Sequence, residues 1–192
     1  MVDPITQFSH WLEEARRHNG IIEPTAACLA TADLDGKPSA RMVLVKSMGG
    51  DGFSFYTNLG SRKSRDLRQN PQASLCFYWM PLRKQVRIEG GIEPVSPAEA
   101  DAYFATRPRD SRIGAWASRQ SEPLSSPAAL QQAVAARLAE FDGEDVPRPE
   151  FWSGWRVVPE AIEFWQQGEF RLHERELYTR KGQGWEMVRL YP

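Results

Sequence analysis

Cysteine and histidine are scarce in this chain, which has two of the first and three of the second among 192 residues. Cys28 and Cys76 each lie inside an apolar run, AACLATA and ASLCFYW, a setting for reduced, packed thiols rather than a disulfide framework. His10, His18 and His173 are too scattered to complete a zinc site, so no metal is expected. No apolar stretch approaches the roughly 20 residues that a membrane-spanning helix needs. The opening MVDPITQFSHWLEEARR has no basic start followed by an apolar core, so no signal peptide is read there. Both observations lead to the expectation of a soluble, cytoplasmic protein with no membrane partner. An excess of one charge is missing too: 24 Lys and Arg balance 25 Asp and Glu, for a net charge of −1. A general nucleic-acid binder carries a basic excess, so that class is disfavoured and any basic site must be local. There is no GxGxxG and no regular alternation of strands and helices, which argues against a dinucleotide fold on a parallel sheet.

What the chain does have is many short strand signals. Hydrophobic residues make up 41% and charged residues 26%, the balance of a globular protein, and the length suits one domain spanning 1–192. Residues 4–17 read as an amphipathic helix within an N-terminal helical region of 1–20, with Phe8, Leu12 and Ala15 on one stripe. Two apolar runs flank Asp35-Gly36 as a hairpin, and GFSFYTN supplies a third strand. LGSRKSRDLRQNP reads as a short helix closed by Asn70-Pro71, followed by strands in QASLCFYWM and RKQVRIEGGIEPV. Ser96-Pro97-Ala98-Glu99 is a capping box that starts a helix running to about Thr106. Ser126-Pro127 starts another, with Leu130, Val134, Leu138 and Phe141 on its expected buried side. DGEDVPRPEF, 142–151, reads as a surface loop, and the C-terminal part returns to strands. The expected fold is therefore mainly β with α insertions, an antiparallel barrel.

Three clusters carry candidate chemistry. RMVLVK places Arg41 and Lys46 towards the ends of one strand, and GSRKS places Ser61, Arg62 and Lys63 at a helix start. Unpaired backbone N–H groups and the positive end of the helix dipole, joined by those cations, suit a phosphate monoester. Tyr103, Arg107 and Ser111, spaced by four, approximate one helical face despite Pro108 and could grip a second phosphate. Arg171, His173 and Arg175 alternate, which on a strand would aim all three to one side, with His173 able to titrate near neutrality. Taken singly, each cluster reads more readily as surface charge or packing than as a site.

The order RMVLVK, FYTNLGSRKS, RKQVRIEG, YFATRPRDSRIGAWASRQS, FWSGWRV, EFWQQGEFRLHER resembles the pyridoxine/pyridoxamine 5′-phosphate oxidase family over nearly the whole chain. The resemblance implies a homodimeric FMN-binding split β-barrel of Greek-key type with two FMN molecules at the subunit interface. It implies flavin contacts from Arg41, Met42, Val43, Leu44, Val45 and Lys46, from Tyr56 and Thr57, from Ser61, Arg62 and Lys63, and from Gln85. Gln120, Ser121, Trp165 and Arg175 match the remaining flavin contacts, expected from the partner subunit. Tyr103, Arg107 and Ser111 match the substrate-phosphate residues, and Lys46, Arg171 and His173 line the substrate ring, the last two in the catalytic position. The implied reaction moves a hydride equivalent from C4′ of pyridoxamine or pyridoxine 5′-phosphate to the flavin, with O2 as acceptor and H2O2 as by-product. Two departures from the family pattern stand out. The chain begins at the first helix, so an N-terminal arm that folds over substrate is expected to be missing, and Glu174 replaces the usual Asp. Alternative readings are an FMN oxidase acting on another ring, of the phenazine-biosynthesis type, or a non-catalytic flavin- or pyridoxal-phosphate-binding protein.

Overall fold

The computed structural model describes residues 3–192. Its strands are β1 (Ala26–Ala32), β2 (Pro38–Gly49), β3 (Gly52–Asn58), β4 (Gln72–Trp79), β5 (Lys84–Pro94), β6 (Trp152–Gln166), β7 (Glu174–Lys181) and β8 (Gly184–Arg189). The helices are α1 (Pro4–Arg17), α2 (Arg62–Gln69), α3 (Pro97–Ala105), α4 (Arg109–Ala117) and α5 (Pro127–Glu140). All strand pairs are antiparallel, in the order β3-β2-β1-β4-β5-β6-β7-β8, and an added β3–β6 pairing closes the first six into a barrel. Closure removes the open edges that a curled sheet would otherwise expose. The ribbon β7–β8 continues from β6 outside the barrel.

The strands form where the sequence alternates. β1 and β4 show strict burial of every second residue, with Ala27, Leu29, Leu75, Phe77 and Trp79 directed into the core. The loop between β1 and β2 is held by the Asp33 carboxylate, which accepts from the N–H groups of Asp35 and Lys37 at 3.1 and 2.9 Å. Closure depends on Gly154, where β6 crosses β3: a Cβ there would sit 2.7 Å from the Phe55 carbonyl oxygen. α1 is capped by Asp3, whose carboxylate accepts from Thr6 N–H, and it inserts Phe8, Leu12 and Ala15 into the barrel core. The Phe8 ring meets Phe53 and Phe77 edge-on at centroid distances of 5.0 and 5.1 Å. The capping box at Ser96 and Glu99 forms as its sequence dictates and starts α3.

One expectation fails at α5. No residue of that helix is buried, and Leu130 and Leu138 are 39% and 45% exposed. The cause is its limited support: α5 packs against α4, where Val134 and Phe141 join Ile113, Val146 and Trp116 in a small separate cluster. Residues 142–151 have no regular structure, yet Val146 is buried in that cluster, and Arg109 donates to the Phe141 and Glu144 carbonyls.

Phe8 is 1% exposed at the meeting of helix and barrel. Phe8→Ala is expected to cost about 3–5 kcal/mol, read as a lower urea midpoint, whereas Leu34→Ala at an exposed turn should change it by less than about 0.5 kcal/mol.

Candidate functional site

A cavity of about 520 Å³ opens where the ends of β2 and β3, the start of β6 and the α3–α4 corner converge. Along β2, Met42, Leu44 and Lys46 project to its side while Val45 is in the barrel core. The β2–β3 register shifts between Val45 and Ser47, so Lys46 sits at a bulge, free of the ladder and exposed beside the cavity. Val43, Tyr56, Thr57, Lys63, Tyr103, Arg107, Ser111 and Gln120 also line it, so both phosphate clusters read from the sequence reach one cavity.

Lys63 is the first focus. It is 8% exposed, and its Nζ donates to Thr57 Oγ1 at 2.9 Å, Ser61 Oγ at 3.2 Å and Gln120 Oε1 at 3.1 Å. All three acceptors are neutral. Desolvation, with the nearby Arg41 guanidinium adding to it, pushes the ammonium down to about 8. Ser61 precedes α2 without capping it through its hydroxyl, which donates to Ser64 Oγ and accepts from Lys63. Arg62, exposed, gives its backbone N–H to Ser121 Oγ at 3.2 Å, and Ser121 itself holds a left-handed backbone with φ 73°.

Arg107 is the second focus. Pro108 ends α3 and caps α4, which turns the helical axis but leaves Tyr103, Arg107 and Ser111 on the same cavity. The Arg107 guanidinium lies over the Trp152 and Phe104 rings at 4.7 and 5.4 Å, and its Nη1 is buried without a hydrogen-bond partner among the described residues. Burial lowers its pKa, with Tyr103 acting in opposition. Tyr56, Tyr103 and Trp152 form a near-parallel aromatic cluster, with Tyr56 at 4.1 Å from Tyr103 and 5.5 Å from Trp152, and burial raises both tyrosine pKa values, so their hydroxyls remain donors at neutral pH. An arginine held by aromatic faces keeps its donors for an incoming anion. Trp152 was not singled out from sequence; an aromatic at a strand start carries no signal of the cation it will support.

A second cavity, about 460 Å³, is lined by Trp165, Gln167, Gly168, Glu169, Phe170, Arg171 and His173 and shares no residue with the first. Here the expected Arg-His-Arg strand ladder is corrected. β7 begins only at Glu174; Phe170 and Arg171 have φ of 52° and 63° in a tight turn, so Arg171 and His173 leave a loop rather than a strand face. Gly168 makes this turn possible, because a Cβ there would lie 2.0 Å from the Leu172 carbonyl oxygen. His173 stands 4.7 Å from Trp165 by ring centroids, and its Nδ1 accepts from Gly168 N–H at 3.3 Å. The neutral ring therefore carries its proton on Nε2.

Other expected residues fall outside both cavities. Arg41 lies mid-strand on the reverse face of β2, donating to Leu29 O, Thr31 Oγ1 and Ser39 Oγ, 3.7 Å from Asp66. The expected division between subunits also changes. Gln120 bonds Thr57 and Lys63 of its own chain and Ser121 bonds Arg62, because Asn58 Nδ2 ties the preceding Ser118 carbonyl over α2. Gln85, expected with that half, instead stands in register with Trp165, which pairs in turn with Arg175. Two sets thus emerge, one around Lys63 and Arg107, the other around Trp165 and His173.

The family model described as pyridoxamine 5′-phosphate oxidase matches residues 13–140, and that of the pyridoxine 5′-phosphate oxidase C-terminal dimerisation region matches 152–192. A pyridoxine/pyridoxamine 5′-phosphate oxidase of Rubrobacter xylanophilus is 57% identical over 99% of this chain and 87% of its own. One of Anaeromyxobacter dehalogenans is 55% identical over 99% and 96%. Among solved structures, PhzG of Burkholderia lata in complex with tetrahydrophenazine-1-carboxylic acid superposes with a TM-score of 0.93 at 35% identity, covering 99% of this chain and 93% of that one.

An anion bound at Lys63 would hold the ammonium protonated. Binding a phosphate monoester near pH 8.5 is thus expected to take up a substantial fraction of a proton, and affinity should fall as pH rises above about 8. Isothermal titration in two buffers of unlike ionisation enthalpy measures the uptake; identical heats would refute the contact.

Proposed function

The chain belongs to the pyridoxine/pyridoxamine 5′-phosphate oxidase family, and from that premise we propose that it is an FMN-dependent oxidase converting pyridoxamine or pyridoxine 5′-phosphate to pyridoxal 5′-phosphate, with O2 as acceptor. The observation that carries the reading is the pair of anion receptors in one cavity, a buried Lys63 among neutral acceptors and an Arg107 with an unpartnered buried Nη1. A cofactor phosphate and a substrate phosphate need two such places. Among the described residues no helix is long and apolar enough to cross a membrane, and the site of action proposed is the cytoplasm.

The donor set fits FMN. Lys63, the N-terminus of α2, Thr57 and Gln120 would hold its phosphate, the β2 segment from Met42 to Lys46 would flank its ring system, and Arg41 would support the cluster from behind. Gln85, Trp165 and Arg175 of a second copy would complete the pocket, since these residues form one cross-strand row remote from Lys63 in chain order. When bound, FMN supplies the two-electron acceptor that no amino-acid side chain provides.

The protein's own part is placement. Tyr103, Arg107 and Ser111 would anchor the substrate phosphate, fixing how far the ring reaches along the cavity. Lys46, and Arg171 and His173 of the second copy, would bracket the ring, with the protonated Nε2 of His173 available to donate to a ring substituent. The strained turn at Phe170-Arg171 supports this assignment, because paired left-handed non-glycine residues persist where a function holds them.

A ring oxidase for an unphosphorylated substrate, suggested by the 35% identical PhzG likeness, would leave the Arg107 receptor without use. Arg107→Ala separates the readings. Loss of a charged hydrogen-bond partner costs about 1.5–3 kcal/mol, so KM for pyridoxamine 5′-phosphate should rise roughly 10- to 150-fold with kcat far less altered. An unchanged KM, or FMN-loaded protein whose flavin is not bleached by this substrate without oxygen, would rule the B6 oxidase out.

A further inference from the structure

Glu163 is an acid in the middle of an apolar strand segment, AIEFW, and it is 2% exposed. A carboxylate buried this far must be met by opposite charge. Glu163 is met twice: its Oε2 lies 2.6 Å from Arg87 Nη2 on β5, and its Oε1 accepts from Arg175 Nε on β7 at 2.8 Å. The geometry follows from register. Glu163 pairs with Arg87 on one side, while Arg175 pairs with Trp165, two residues along β6 on the same face, so Arg175 reaches Glu163 on the diagonal. Arg175 is tied at a second point, donating from Nη1 to the Tyr191 carbonyl at 3.0 Å. Two of its three nitrogens are thereby fixed, and Nη2 makes no hydrogen bond among the described residues. The Glu163 hydrogen bond also raises the Arg175 pKa, so that charge is secured.

We propose that Glu163 is a positioning residue of the composite site, fixing the Arg175 guanidinium for the flavin while Arg87 offsets the carboxylate's own burial. The proposal rests on the reading that Arg175 faces FMN. Arg87 has a distinct part: its Nε also lies 2.7 Å from Glu89 Oε1, so it anchors the Glu163 carboxylate to β5 from the side opposite Arg175. A mere structural ion pair would hold the strands together and leave cofactor affinity alone.

The test is the dissociation constant for FMN, read by quenching of free flavin fluorescence on addition to apoprotein, beside urea unfolding of the same samples. Glu163→Gln, which keeps the volume and removes the charge, is expected to weaken FMN binding about tenfold or more. In the Arg175→Ala background the same change should add less than twofold, since there is no guanidinium left to orient. Glu163→Asp keeps the charge but shortens the reach, so it should retain stability and still weaken FMN binding; it serves where Glu163→Gln does not fold. An affinity within twofold of wild type in Glu163→Gln or Glu163→Asp, or equal weakening with and without Arg175, overturns the proposal. Wild-type apoprotein that takes up no FMN overturns the cofactor reading, and this role with it, as a separate result.

Discussion

The pairing of β3 with β6 is the constraint on which the rest depends. It runs in register from Phe53–Val157 to Asn58–Trp152 and converts a curled sheet into a barrel. Because the two strands are antiparallel, closure brings the end of β3 and the start of β6 to the same rim. That rim holds Tyr56, Thr57 and Trp152, the wall shared by both anion receptors. Trp152 then supports Arg107 through its ring face, and Thr57 accepts from Lys63. The close approach at Gly154, two residues into β6, is what allows the strands to meet there. Neither receptor exists without this contact.

The protein treats its cations in two ways. Arg87 and Arg175 share a buried carboxylate, and Arg112 and Arg148 are tied to Asp145 and Asp101. Lys63 and Arg107 are given hydroxyls, an amide and aromatic faces instead. Within the fold this second arrangement is unfavourable, since burial without a counter-charge costs free energy and lowers the pKa of both groups. Such a cost persists where an anion recovers it on binding. The same cations are useful because they are poor structural partners.

The barrel was legible because its strands follow local rules: alternation in β1 and β4, a polar turn at Asp33–Lys37, a capping box at Ser96. Lys63, Tyr103 and Arg107 were legible as motifs, and their spacing survived the turn at Pro108 because α4 resumes at once. What could not be read was tertiary. The Arg171-His173-Arg175 alternation suggested a strand, but Phe170 and Arg171 adopt left-handed backbone, a conformation that bulky residues accept only under constraint from neighbours. The exposure of Leu130 and Leu138 depends on how little of α5 its neighbours cover, which helical periodicity does not encode. Nor does spacing say which half of a site Gln85 or Gln120 joins; hydrogen bonds across more than 50 residues decide that for Gln120, and strand register decides it for Gln85.

The split between the two cavities has a thermodynamic consequence. Every residue lining the second cavity falls within the segment matched as a dimerisation region, and apart from Trp152 every residue lining the first falls in the preceding match. Met42, which lines the first cavity, and Phe170, which lines the second, are 65% and 89% exposed in the single chain. On the composite site proposed above, a second copy covering such surface would gain hydrophobic free energy and, in the same step, bring the Trp165 and His173 set towards a Lys63 and Arg107 set. A ligand that touches both sets binds the dimer and not the monomer, so its binding free energy adds to association. Cofactor retention and dimer stability would then be one linked equilibrium, on which Arg175 and its proposed Glu163 anchor would act from the join.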